Sequence, residues 1–207
     1  MHLPPDKLIT LLQPPPGRSQ PHTGLNHSAV MMILCDQLVK SGPETHVVFI
    51  MRTVDGSRHS GQIAFPGGKV ESSDGSALAA ALRETEEEIG IVPSQLEVLG
   101  SMGYFSTMTT GFDVAVFVAR PTTMLSYSPQ QNEVAAIFEI PLARLAAQFN
   151  PGLVIRVPAD MLNLHFHLEA APHLKFKGKG WPVNRERICI WGFTARVLHH
   201  FFIAILQ

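Results

Sequence analysis

Glu84, Glu86, Glu87 and Glu88 fall within five residues, in a stretch that reads GQIAFPGGKVESSDGSALAAALRETEEEIGI from Gly61 to Ile91. Like charges this close repel and weaken a helix, so they either line a solvated face or surround something cationic. On a helical wheel at about 100° per residue, Leu78, Ala81, Leu82, Thr85 and Ile89 form one stripe, the face turned to a core. Glu84, Glu87 and Glu88 gather on its flank at the spacings that make side chains neighbours, with Arg83 beside them and Glu86 on the other side. Oxygen-only ligation of this kind suits a hard cation, Mg²⁺ or Mn²⁺, which keeps several waters and reaches out to phosphates. Gly67 and Gly68, ahead of the helix, permit a tight bend and a close approach to a ligand. On spacing alone, a solvated acidic face accounts for the same residues equally well.

The elements that must position these acids can be read from the surrounding pattern. A helix of about fifteen residues runs from Gly75 to Ile89. Before it, SAVMMILC (28–35) and HVVFIMR (46–52) read as a hairpin across the polar turn KSGPET, followed by a short strand over 61–65. After it, strands are predicted over 96–102, 112–120 and 133–139, then a short helix over 141–148, strands and loops over 153–190, and a closing helix over 190–206. Residues 1–26 form an N-terminal arm, a short helix from Asp6 to Gln13 and then a Pro-rich linker, and residues 27–207 form the domain. Antiparallel hairpins with two substantial helices point to the α/β class, a mixed sheet between helices in an α/β/α sandwich.

Composition narrows the function. The chain has 207 residues, is 45% hydrophobic and carries a net charge of −1, as a globular protein without a general polyanion-binding surface does. Bulk nucleic acid is thereby disfavoured as a partner, whereas a local basic pocket for a small anion is not. Cys35 and Cys189 lie in apolar runs and read as buried thiols. No signal peptide is evident at MHLPPDKL and no apolar run is long enough to span a bilayer, so a cytoplasmic protein is expected.

The order of residues says more than their spacing. Gly68, five residues, Asp74, then Arg83-Glu84-Thr85-Glu86-Glu87-Glu88-Ile89-Gly90-Ile91 closely resembles the Nudix box, whose loop–helix–loop binds divalent metal and hydrolyses a diphosphate linked to another moiety. The resemblance implies that Glu84, Glu87 and Glu88 are metal ligands, with Glu84 or Glu87 as general base and Arg83 orienting the acids. Asp74 stands where the box has Glu, eight residues rather than seven precede Arg83, and Thr85 replaces an aliphatic. The first two departures recur in the coenzyme A pyrophosphatases. That subfamily's upstream motif is also similar: Arg52, Gly61 and Phe65-Pro66-Gly67-Gly68 match, but Ser57 fills the second arginine's slot and Arg58 follows one place later. The resemblance extends from about residue 27 through 132–145 and 188–198. It implies cleavage of coenzyme A to 3′,5′-ADP and 4′-phosphopantetheine, with other nucleoside diphosphate derivatives such as ADP-ribose, or a non-catalytic binding role on the same fold, as alternatives.

Substrate contacts are expected from Arg52, Arg58 and Lys69 around the loop, where arginine can grip phosphate in two-point fashion, together with Gly67 and Gly68. Glu133 is the first candidate for a further acid outside the box and Asp113 the second. His59, beside Arg58, is the one histidine offered a role at the site. His165 and His167 lack a third ligand for zinc, His199 and His200 are expected to flank the last helix, and the basic, aromatic run 175–181 reads as a hairpin tip. The apolar segment 195–206 is core by default, or a homodimer face if exposed.

Overall fold

Two long apolar runs near the start of the chain become the central strands of the molecule. The structure is a computed structural model and describes residues 1–53, 61–107, 111–149, 166–169, 175–177 and 187–206. β1 (Asn26–Val39) and β2 (Gly42–Arg52) form the expected hairpin, longer than its apolar core because pairing continues to Val39 and Gly42. β3 (Ile63–Ala64) lies along β2, and β4 (Gly67–Lys69) lies along β1. β5 (Leu96–Ser106), β6 (Phe112–Pro121), β7 (Val134–Pro141) and β9 (Lys175–Lys177) complete the sheet in the order β5-β6-β1-β2-β7-β9, with β1 and β6 parallel. β8 (Phe166–Glu169) and β10 (Arg187–Ile190) pair separately.

Both faces of this sheet are covered, which is why its central strands read as nearly unbroken apolar runs. Ala29, Met31, Ile33, Val48, Ile50 and Ala115 pack against α2 (Ala77–Ile89). Met32, Leu34, Val47, Phe49, Val116 and Val118 face the other way, into a core shared with α1 (Pro5–Leu11), α3 (Leu142–Ala146) and α4 (Gly192–Leu206). This is the α/β/α sandwich the sequence implies.

A split in the hairpin brings the pre-helix loop into the sheet. β2 pairs with β1 only from Leu34 onward, and β4 takes over the neighbouring place, with Lys69, Gly68 and Gly67 opposite Ser28, Ala29 and Val30. The Met31 N–H donates to the Pro66 carbonyl at 2.9 Å, closing the junction. The turn that precedes α2 is thus anchored to the central strand.

The N-terminal arm is part of this architecture. Leu3, Leu8 and Leu12 are buried in the core beneath α1. Arg18 bridges Tyr104, with Arg18 N–H to Tyr104 O at 3.2 Å and the reverse bond at 2.8 Å, so the arm caps the outer edge of β5. Covering an edge in this way removes a template for unwanted pairing. At the other terminus, α4 begins at Gly192, and His199 and His200 lie within it rather than at its flank, His199 buried. Val197, Leu198, Phe201 and Phe202 are also buried, so the apolar length of α4 is spent on the core. Among the described residues no helix is long and apolar enough to cross a membrane.

Candidate active site

The acids of α2 owe their directions to how that helix starts and stops. The Ser76 hydroxyl accepts from Ala79 N–H at 3.1 Å, which fixes the first turn. Gly90 ends the helix in the left-handed region at φ 74°, returning its N–H to Glu86 O at 2.9 Å. Between these caps Ala80, Ala81, Thr85 and Ile89 turn inward, and the Thr85 hydroxyl donates to Ala81 O at 2.7 Å instead of confronting the core unpaired. Glu88 lies within this buried stripe rather than on its flank and is 1% exposed. Glu84 is half-buried, while Glu87 is 57% exposed.

Each inward acid is met by the loop before the helix. Glu88 Oε2 accepts the Gly67 N–H at 2.8 Å, and Glu88 Oε1 accepts from Arg52 Nη1 at 3.3 Å. Gly67 has φ 148°, and a Cβ there would overlap the Ala29 carbonyl. A Cβ on Gly68 would overlap the Glu84 carboxylate. The two glycines therefore let sheet backbone and an acid approach the same turn from opposite sides.

Arg83 organises the outer half. Its Nε and Nη2 grip the two oxygens of Asp74 at 3.0 Å each, its Nη2 also reaches Lys69 O at 3.1 Å, and its Nη1 bridges Glu84 and Glu87 at 2.9 Å each. Hydrogen bonds donated to Asp74, then Glu84, hold the guanidinium more firmly charged than a free arginine, and Arg83 in turn holds the Asp74 carboxyl below its usual range. Asp74 also accepts the Glu71 N–H at 2.8 Å, so it shapes the loop that it anchors.

Electrostatically the cluster is short of positive charge. Burial pushes the Glu88 carboxyl up to about 7, and the charges of Glu84 and Glu133 add to this, against the pull of Gly67 N–H and Arg52. Burial raises Glu84 as well, with Glu87 and Glu133 adding and Arg83 opposing. The Glu133 backbone is fixed just past the end of β2, where its carbonyl accepts Thr53 N–H at 2.9 Å. A cluster of carboxylate oxygens in which the acids outnumber the two arginines that meet them fits Mg²⁺ or Mn²⁺. Among the described residues no three potential ligand side chains form a ready-made cage; Arg83 bridges two of the carboxylates and Arg52 contacts the third.

A family model of the NUDIX domain matches residues 25–156. The chain belongs to the Nudix family. It is similar to NudL, an uncharacterised Nudix hydrolase of Escherichia coli K12, at 31% identity over 183 residues, covering 87% of this chain and 84% of that protein. Among solved structures it resembles a MutT/nudix family protein from Enterococcus faecalis with a TM-score of 0.55, covering 97% of this chain and 69% of that one. At 16% identity this second likeness is one of fold. As a Nudix hydrolase the chain is a diphosphatase, of a family that works with divalent cations.

The remaining sequence candidates of this Nudix hydrolase divide by place. Glu133 joins the acids, whereas Asp113 does not: it accepts from Arg18, from His22 N–H at 2.7 Å and from the Ser106 hydroxyl at 2.9 Å, beneath the arm. Lys69 is exposed on β4 next to Gly68. Arg58, His59 and His165 lie outside the described residues. A cavity of about 730 Å³ lined by Asp36, Arg120, Met124, Tyr127 and Glu139 lies toward the other end of β1, away from the acids. The contacts from Arg52 and Gly67 to Glu88, and the Arg18–Asp113 clamp, are not evident in the sequence. Their partners stand 21 to 95 residues apart, and a motif that contains a residue does not say which atom it will touch.

Proposed function

We propose that this Nudix hydrolase cleaves the diphosphate bond of coenzyme A or its acyl derivatives, releasing 3′,5′-ADP and the 4′-phosphopantetheine moiety. The observation that carries the catalytic part is the meeting of Glu84 and Glu88 with the Gly67-Gly68 turn, Glu84 against Gly68 and Glu88 on the Gly67 N–H, with the charge of Glu133 felt by both acids. The substrate part is supported by the upstream pattern, with Arg52 and Phe65-Pro66-Gly67-Gly68 at the separations of the coenzyme A subfamily.

In this reading Glu84, Glu87 and Glu88 hold a divalent ion, with Glu133 as an additional acid. When bound, the ion supplies an acidified water and screens the diphosphate oxygens. Glu84 or Glu87 accepts the proton of the attacking water, and release from the Arg83 bridge exposes the receiving oxygen. Arg83, braced on Asp74 and Lys69 O, keeps both carboxylates aimed at one place. Arg52, Arg58 and Lys69 supply positive charge for the substrate's phosphates.

The displacement of the second arginine to Arg58 favours one further reading, the same chemistry on another nucleoside diphosphate derivative such as ADP-ribose. Hydrolysis of coenzyme A, acetyl-coenzyme A and ADP-ribose, run side by side with Mg²⁺ or Mn²⁺ and with products identified by mass, separates the two. Turnover of coenzyme A to 3′,5′-ADP is expected; turnover of ADP-ribose alone would replace the first reading with the second.

A further inference from the structure

The contact between Arg52 and Glu88 has features that phosphate binding alone does not require. Arg52 is the last residue of β2, and the pairing with β7 slips there: Met51 stands opposite Ala136, whereas Arg52 stands opposite Val134. The extra residue, Ala135, belongs to β7, so β2 keeps its alternation to its last residue. Alternation places Arg52 on the face of Val48 and Ile50, which is the face that α2 covers. Its backbone is pinned by an N–H bond to Gln62 O at 3.0 Å, and the next residue is tied to Glu133. The guanidinium is thus directed at a carboxylate that is 1% exposed, while 37% of the arginine side chain still faces solvent.

The two oxygens of Glu88 have different holders. Oε2 is fixed by the Gly67 backbone at 2.8 Å, a contact that cannot move without unseating β4. Oε1 is held by Arg52 at 3.3 Å, long for a charge-assisted bond, and through a single nitrogen. One oxygen is anchored and the other is loosely occupied by a side chain that is still partly open to solvent.

We infer that Arg52 is the resident counter-ion of Glu88: it occupies the carboxylate oxygen that a divalent cation takes, and cation entry releases the guanidinium toward the diphosphate. This rests on the reading of α2 as a metal site. It makes Arg52 a positioning residue whose removal has two opposite consequences. Without a competing positive charge beside the site, the cation binds more tightly; without a released guanidinium, the substrate binds less tightly.

The decisive measurement is Mn²⁺ binding to the full chain without substrate, followed by the electron paramagnetic resonance of free Mn²⁺. Arg52→Gln is expected to bind Mn²⁺ about tenfold more tightly than wild type, the scale of freeing one carboxylate oxygen from a single hydrogen bond to a charged group. Arg52→Lys is expected to stay near wild type, and the gain is expected to vanish in a Glu88→Gln background. At saturating Mn²⁺, Arg52→Gln raises KM more than it lowers kcat. Unchanged or weaker Mn²⁺ binding in Arg52→Gln, or a gain that persists with Glu88→Gln, would overturn the inference. A wild-type chain that takes up no Mn²⁺ would overturn the metal-site reading beneath it as well. A variant-free check uses the Arg52 side-chain N–H resonance of wild-type protein: it shifts on addition of Mg²⁺, and an unmoved signal counts against the exchange.

Discussion

Asp113 and Glu88 are both almost wholly buried, at 0% and 1% exposure, and each meets an arginine. Their carboxyls are nevertheless driven in opposite directions. Burial alone would raise Asp113, but the His22 N–H, the Arg18 guanidinium and the Ser106 hydroxyl outweigh it and hold the group below its usual range. Glu88 has one backbone N–H and one long arginine contact, faces Glu84 and Glu133 as well, and is pushed up to about 7. The difference lies in how completely the donors fill each carboxylate's shell. A buried acid with its donors supplied is a rivet; one kept short of positive charge is poised to take a cation. The arm clamp and the acidic end of α2 are built from the same residue types, and in the proposed function they serve these two purposes.

The widest separation between the two regions is expected in activity. Glu88→Gln reduces diphosphate hydrolysis by about a thousandfold, the scale of losing a preorganised charge in a water-excluded site, without lowering the melting temperature. A variant that keeps full turnover breaks the comparison at its functional end, and steady-state kinetics with Mn²⁺ decides it.

pH provides the next test. The folded chain binds the Glu88 proton more tightly than the unfolded chain, whose carboxyl titrates near 4.5. Glu88 is therefore neutral to stability below that pH, and it removes up to about 3 kcal/mol by the time pH has risen through 7. Asp113 works the other way: its contribution is present above its ordinary value of 3.8 and is lost as pH falls through its lower folded value. Urea unfolding in chelator at a series of pH values should show the metal-free protein losing stability between about pH 4.5 and 7, and Mn²⁺ should flatten that loss.

Arg18→Ala leaves Asp113 buried with two of its donors. The expected loss is about 2 kcal/mol, reduced from the figure for a fully buried pair because Arg18 is partly solvated. Activity per folded molecule stays unchanged; a melt equal to wild type would show the arm to be dispensable. The smallest effect is assigned to Lys69→Ala: a two- to fivefold rise in KM, about 0.5–1 kcal/mol, with the melting temperature untouched.

Much of this was legible before any coordinates. The run from Ala77 to Ile89 carries its own start signal in Ser76, its own stop in Gly90 and a helical apolar stripe, all set by neighbours a few residues away. The unbroken apolar runs of β1 and β2 announce strands buried on both faces. Arg83 could be placed beside Glu87 because residues four apart are neighbours on any helix. Less visible was which acid faces inward. The wheel puts Glu88 on the flank of the stripe; the packing of α2 on β1 and the turn at Gly67 draw it fully inside.

Sequence by itself determined the order of elements, the acid-rich helix and the family, because these rest on local periodicity and on residues at fixed offsets. Tertiary structure alone decided which carboxylates are starved of charge and which are satisfied. That depends on donors from remote segments, Arg52 and Gly67 for Glu88, Arg18 and His22 for Asp113, and such partners meet only when the sheet is assembled and water is excluded.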